Sequence, residues 1–277
     1  MALLPMASFP VSARVIVTRP EREARVWADA LKARGVPCET LPLIEIAALA
    51  EPSALAQVWL DVPKHLAVMF VSANAVRYFM DARLPQWDLG NCRAWSTGPG
   101  TKTALLEANW PDFLIDSPLE TAAQFDSEAL WALVAGRAKE AVDWALADSR
   151  PKPSVLVVRG ADAQGQLAGR DWLALQLENA GLQVLQAVAY VRQAPVLTPQ
   201  QGAFAHQAML DGSWFLFSSS EAAQHLLQLG PHLPIGQARA LATHPRIAQR
   251  LQEAGWGHVQ IVPAGLESQA QSIKSLV

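Results

Sequence analysis

Cysteine is nearly missing from this chain of 277 residues: Cys38 and Cys92 are the only two. No CxxC occurs and no Cys/His spacing suits zinc, so a disulfide framework and a zinc fold are excluded. Two buried free thiols in a reducing compartment are expected instead. An excess of positive charge is also missing. The formal net charge is −3, which excludes nucleic-acid binding driven by whole-chain charge. No apolar run approaches the roughly 20 residues of a membrane helix. The first thirteen residues carry no Lys or Arg and are interrupted by Pro5 and Pro10. They do not read as a signal peptide, so residues 1–12 are expected to form a short loose extension and the protein to be cytoplasmic. Lysine is scarce, 6 against 16 arginines, and tyrosine is scarcer still: Tyr78 and Tyr190 stand alone.

What is present is apolar. Hydrophobic residues make up 51% and charged residues 17%, which excludes a disordered chain and a collagen-like repeat. The length suggests two domains, and 10 Trp with 8 Phe are enough to fill their cores.

The pattern is an alternation of short strands and helices. The run 14–20, Arg-Val-Ile-Val-Thr-Arg-Pro, is a strand ending in a turn. Pro20 then opens a helix, with Glu21 and Glu23 at its positive end. Ala24, Trp27, Ala28 and Leu31 share its buried face, and Gly35 stops it. The cycle repeats with strands at Leu66–Val71, Arg93–Ser96, Phe113–Ile115, Val155–Val158, Phe215–Phe217, Ala240–Ala242 and Val259–Val262. Thr121-x-x-Gln124 reads as a capping box opening one of the helices. Such alternation predicts an α/β fold with parallel sheets. Two longer segments, Cys38–Ile46 and Gln183–Gln193, read as strands unlike buried central ones, and Pro42 interrupts the first. Residues 136–153 are polar and end in Pro-Lys-Pro, which suggests an inserted helix plus loop.

The second half echoes the first. Val15-Ile-Val-Thr-Arg19 resembles Val155-Leu-Val-Val-Arg159; Thr97-Gly-Pro99 resembles Thr243-His-Pro245. The run from Phe70 to Ala75 resembles that from Leu216 to Glu221, pairing Ser72 with Ser218. Leu105, Glu107, Ala108 and Trp110 recur as Leu251, Glu253, Ala254 and Trp256. Two similar lobes are expected, with a ligand in the cleft between them. A split into consecutive halves near 140–150 fits this repeat as well as any other division.

Ligands of open α/β sheets bind beyond the carboxyl ends of the strands. Six turns fall there: Thr18-Arg19-Pro20, Ser72-Ala-Asn74, Thr97 to Thr101, Arg159-Gly160, Ser218 to Ser220, and Thr243-His244-Pro-Arg246. Their hydroxyls, glycines and backbone N–H groups suit anions. Each alone is also an ordinary helix cap; six together point to a polyanion site. Gly98-Pro-Gly100 is neither a dinucleotide fingerprint nor a phosphate loop, which disfavours a nucleotide-dependent transferase. The six histidines show no metal spacing, and no serine sits in a nucleophile elbow. From the residues alone, Tyr190 reads as a half-buried packing side chain.

In chain order the motifs are Val17-Thr-Arg-Pro20, Phe70-Val-Ser-Ala-Asn-Ala-Val76, Gly98-Pro-Gly-Thr101, Val158-Arg-Gly160, Gly169-Arg170, Gly181, Val188-Ala-Tyr190 and Phe217-Ser-Ser-Ser220. Together they resemble the uroporphyrinogen-III synthase family across about residues 14–276. The resemblance implies two parallel-sheet α/β lobes joined by a two-stranded β-ladder. Lobe one would be 1–38 plus 194–277, lobe two 47–182, and 39–46 with 183–193 the crossings. It implies cyclisation of the linear tetrapyrrole hydroxymethylbilane, with loss of water and inversion of ring D, in heme biosynthesis. Left alone, that substrate closes to the symmetric type I isomer, so positioning is the enzyme's main task. No cofactor, metal, nucleic acid or membrane is implied; a monomer is, with transient contact to hydroxymethylbilane synthase.

By the same resemblance Tyr190 assists departure of the ring A hydroxyl. Ser72, Asn74, Thr101, Ser218 and Ser220 match positions lining the tetrapyrrole. From their places in strand-end turns, Gly98, Thr243 and His244 are expected to bind substrate as well, and Arg19 and Arg159 to face carboxylates. The segment Thr243 to Ile247 departs from the family's usual Gly-Pro-Thr-Thr, and Arg246 is expected to replace a threonine contact by binding a carboxylate. The competing reading is a non-catalytic two-lobed binding protein for a small polyanion.

Overall fold

Short Val/Ile/Phe runs become strands, and the amphipathic stretches between them become crossover helices, in a computed structural model that describes residues 14–118, 127–167, 172–228 and 233–276. The N-terminal extension, the Thr121 capping pattern, Gly169-Arg170 and His232 lie outside the described residues. In chain order the elements begin β1 (Val15–Val17), α1 (Glu21–Lys32), β2 (Cys38–Thr40), β3 (Glu45–Ala48), α2 (Pro52–Val58), β4 (Ala67–Phe70) and α3 (Ala73–Asp81). Next come β5 (Arg93–Ser96), α4 (Pro99–Glu107), β6 (Ile115–Asp116), α5 (Ser127–Ala147), β7 (Ser154–Asp162), α6 (Trp172–Asn179) and β8 (Gln183–Gln193). The last are α7 (Pro199–Leu210), β9 (Trp214–Phe217), α8 (Ser220–Leu227), β10 (Arg239–Ala242), α9 (Pro245–Glu253), β11 (His258–Ile261) and α10 (Leu266–Lys274).

The chain divides into two units. One takes the described residues up to Glu45 and those from Gln193 onward; the other is Ile46–Arg192. The first unit's sheet has strand order β11-β10-β9-β1-β2, and the second sheet has order β3-β8-β7-β4-β5-β6. Val15 lies opposite Trp214 as Val155 lies opposite Ala67, in parallel register. The first sheet read from β11 to β2 therefore corresponds to the second read from β6 to β8. In chain order the second unit is a circular permutation of the first.

The repeated Leu-x-Glu-Ala-x-Trp stretch has a local physical basis. α4 and α9 both end in a residue with positive φ, Asn109 at 64° and Gly255 at 91°. The next backbone N–H, of Trp110 or Trp256, donates to the carbonyl of Leu105 or Leu251. That is a Schellman ending, and Gly and Asn are the residues that tolerate its left-handed position. Both indoles then enter the core. Trp110 lies edge-on to Phe70, and Trp256 edge-on to Phe215 and Phe217. Fully burying such a side chain contributes about 1.5–3 kcal/mol. In the second unit Phe79 adds a stacked contact to Trp59 at 4.5 Å, and the Trp59 indole N–H donates to the Phe79 carbonyl.

Two expectations are corrected. Cys38–Ile46 is not one strand: β2 ends at Thr40 and β3 begins at Glu45. Pro42 has no N–H to give to a ladder, while Leu41 and Leu43 donate to Val17 and Thr18 carbonyls and bury their side chains. Residues 136–147 are no insertion, because they continue α5, the crossover between β6 and β7. Leu130, Val134, Ala138 and Ala145 of that helix are buried. Residues 148–153 are the loop that follows.

Candidate functional site

In the second unit α3 begins where β4 ends. Ser72 is its N-cap, extended at φ −164°, and its Oγ accepts from the Ala75 N–H at 3.1 Å. The same Oγ lies 3.1 Å from the Tyr190 hydroxyl on β8. A serine oxygen has one proton and two lone pairs. With one lone pair taken by Ala75, Ser72 can give its proton to the Tyr190 oxygen, which leaves the phenol proton for another acceptor.

Backbone irregularity brings that tyrosine into place. β7 and β8 run in register to Arg159 opposite Val188; the pairing then slips, and Gly160 lies opposite Tyr190. Such a bulge re-aims the side chains that follow it. The Tyr190 ring lies directly over Gly160, so a Cβ built there would meet ring carbons at 2.6 Å. Tyr190 is 3% exposed. Its ring also stacks on Tyr78 from α3, with centroids 5.7 Å apart and planes inclined by 29°. The Tyr78 hydroxyl donates to the Ile46 carbonyl at 3.1 Å.

The other expected residues of this unit take varied places. Asn74 is in the first turn of α3, where its Oδ1 accepts from Arg77 at 3.1 Å. Gly98 caps α4; its N–H donates to Ser96 Oγ, which donates in turn to the Gly98 carbonyl. Thr101 lies in the first turn of α4 but is buried, and its N–H is used on the Gly98 carbonyl. Arg159 is buried and donates to Gln186 Oε1 at 3.1 Å. Strand alternation puts it on the sheet face of Val155 and Val157, away from the Val158 and Tyr190 core. Thr101 and Arg159 are thus the two residues of this expected set with buried side chains.

The first unit presents a different set. At the end of β1 the Arg19 guanidinium lies 4.1 Å over the Trp27 ring. The Trp27 indole N–H donates to Gln269 at 2.7 Å, and buried Gln269 donates to the Pro263 carbonyl. Burial lowers the Arg19 pKa to about 10, with the Glu23 charge opposing. It still carries its charge at neutral pH. Among the described residues its buried Nε has no hydrogen-bond partner.

At the end of β9 the cap is Ser219, whose Oγ accepts from the Glu221 N–H at 3.2 Å. The strand registers make Ser219, not Ser218, the counterpart of Ser72. Ser218 and Ser220 flank it, half-buried. Thr243 donates its N–H to the Phe217 carbonyl. His244 caps α9: its Nδ1 accepts from the Arg246 N–H, which places the ring proton on Nε2. Arg246 is exposed.

Sequence reasoning passed over Tyr78, Ser219, and the Trp27–Gln269 pair beneath Arg19. Tyr78 carried a signal, since it is the other of the two tyrosines. Gln269 carried none: a glutamine on a helix reads as a surface residue. Among the described residues no group of three or more His, Cys, Asp or Glu side chains could hold a metal ion. Among them too, no helix is long and apolar enough to cross a membrane. A surface hollow of about 560 Å³ is lined by Trp214, Trp256, Gly257 and His258. It lies at the amino ends of β9 and β11 and takes in none of the residues above.

A permuted pair of parallel-sheet α/β units, with hydroxyl and arginine side chains at the carboxyl ends of the strands, belongs to the α/β class whose ligands bind beyond those strand ends. The family whose model matches this chain is described as uroporphyrinogen-III synthase HemD, over residues 25–265. The chain belongs to that family, whose members are cyclising lyases of tetrapyrrole biosynthesis. Two solved structures share the fold. The uroporphyrinogen-III synthetase of Helicobacter pylori is 19% identical, with a TM-score of 0.61, covering 96% of this chain and 100% of that one. A mutant uroporphyrinogen III synthase of Thermus thermophilus is 17% identical, with a TM-score of 0.54, covering 95% and 98%.

Proposed function

We propose that the chain closes hydroxymethylbilane to uroporphyrinogen III, with Tyr190 as its catalytic side chain. The observation that carries the role of Tyr190 is its hydroxyl, 3.1 Å from the capping Ser72. The phenol proton goes to the departing ring A hydroxyl, which leaves as water. The resulting azafulvene cation is attacked by the substituted carbon of ring D. Rearrangement through a spiro intermediate inverts that ring, and the macrocycle then gives up a proton that restores the phenol. A positioned acid of this kind typically contributes 10²–10⁴-fold.

The substrate's eight carboxylates need charge without flexibility. Arg19, flat against Trp27, suits one of them. The exposed Arg246 suits another. The capped starts of α3, α4, α8 and α9 supply backbone N–H groups and positive helix ends. Net charge is no obstacle, because local donors decide.

Purified protein supplied with hydroxymethylbilane generated in situ by its synthase tests the reaction. Separation of the oxidised products should show the type III isomer dominant. Type I alone would leave the chain a polyanion-binding protein. The same proposal includes a cytoplasmic location, transient transfer of substrate from hydroxymethylbilane synthase, and a monomer. Light scattering near 29.9 kDa checks the last.

A further inference from the structure

We propose that Tyr78 is a positioning residue for the reaction, fixing the Tyr190 ring so that its hydroxyl meets the leaving group; this rests on the catalytic reading of Tyr190. The chain has two tyrosines, and the fold stacks one on the other. The Tyr78 ring covers part of the Tyr190 ring at 5.7 Å. Its own freedom is removed by the bond from its hydroxyl to the Ile46 carbonyl, 32 residues away in sequence.

α3 thus holds Tyr190 at two points. Ser72 at its N-cap fixes the hydroxyl, and Tyr78 two turns on fixes the ring. Gly160 supplies the third surface, a backbone that admits the ring. An aromatic ring on a strand retains two χ angles, and an error of about 1 Å at a reacting atom can cost 10²-fold in rate. Volume alone could be supplied by leucine; a flat face stacked on the Tyr190 ring could not. The arrangement adds no chemistry. It acts through Tyr190, and that defines the test.

The experiment is a double-mutant cycle on kcat for type III formation, measured with the full chain at high enzyme concentration. Tyr78→Leu should lower kcat about 10-fold with KM within about two-fold. In the Tyr190→Phe background the same change should alter kcat less than about two-fold, because the hydroxyl it positions is gone. Tyr78→Phe keeps the stack and should recover most of the activity lost in Tyr78→Leu. Equal losses in both backgrounds, or none in either, overturn the proposal. Should Tyr78→Leu lose its cooperative thermal transition, Tyr78→Met, whose flexible side chain fills irregular gaps, carries the same cycle. Full activity in Tyr190→Phe alone would overturn the catalytic reading instead, and the two failures are thereby separate.

Discussion

In the first unit β2 pairs with β1 over three residues and stops at Thr40, short of Pro42. Its counterpart in the second unit, β8, runs for 11 residues and passes the end of the corresponding register. That extension carries Tyr190. The two units share strand order, helix endings and serine caps, yet the ladder of the first ends at Thr40 while that of the second runs on to Arg192. The proposed function places the acid on the strand that continued, where the bulge re-aims it. The first unit has instead an arginine over a tryptophan, Arg19 on Trp27. In that proposal the second unit supplies the acid and Arg19 meets a carboxylate.

The largest effect that would break the comparison is at Gly160. Gly160→Ala places a Cβ 2.6 Å from the Tyr190 ring and forces ring or bulge to move. Activity should fall by about 10²-fold, with about 1–3 kcal/mol of stability lost from the overpacked site. Gly202→Ala in α7 meets nothing within 4 Å, and denaturation should show it unchanged or more stable by about 0.4–1 kcal/mol.

Next is Tyr190→Phe, which should retain the fold and substrate affinity and lose roughly 10²-fold in kcat. The structural counterpart of its partner, Ser219, should behave differently. Ser219→Ala removes a cap, costs about 1 kcal/mol of stability, and leaves kcat near the wild-type value.

A third effect concerns stability. Asp116 accepts from Arg93 at 2.5 and 2.9 Å, from Arg137 at 2.6 Å and from the Trp95 indole at 3.1 Å. Burial by itself pushes this carboxyl upward. The hydrogen bonds and charges of Arg93 and Arg137 outweigh it and hold the group below the usual carboxylate range. A lowered folded-state pKa means the stabilisation is present above the ordinary carboxylate pKa. It is lost as pH falls through the lowered value. Asp116→Asn should cost about 2–4 kcal/mol at pH 7, and the difference from wild type should shrink in acid, as thermal melts at stepped pH would show. The smallest effect expected is at Arg246, an exposed cation: Arg246→Ala should raise KM only about three-fold, and an unchanged KM would remove it from the site.

The α/β class and the repeat were legible because local chemistry writes both: Val/Ile runs, Pro20 opening a helix, and the Leu-x-Glu-Ala-x-Trp stretch that recurs at 105–110 and 251–256. The split at Pro42 was legible as an irregularity but not as two strands in different sheets. α5 was misread because its outer face is charged at Arg137, Lys139, Glu140 and Asp143, while its buried stripe is partly alanine. Ser219 was displaced by one position because three consecutive serines align equally well with Ser72. The Tyr78–Tyr190 stack was not legible at all. It joins residues 112 apart in sequence, through a register slip that no single-strand pattern encodes. Arg159 looked like Arg19 in sequence and holds the equivalent strand position; only its tertiary surroundings differ, burial beside Gln186 against a half-buried place over Trp27.

The division of labour between the units is tested most directly by steady-state rates of type III formation for Tyr190→Phe and Arg19→Leu, measured side by side with the wild type. Tyr190→Phe should lower kcat about 10²-fold with KM nearly unchanged. Arg19→Leu should raise KM about 10-fold with kcat nearly unchanged. The reverse pattern, or a loss of kcat in Arg19→Leu as deep as in Tyr190→Phe, would contradict it.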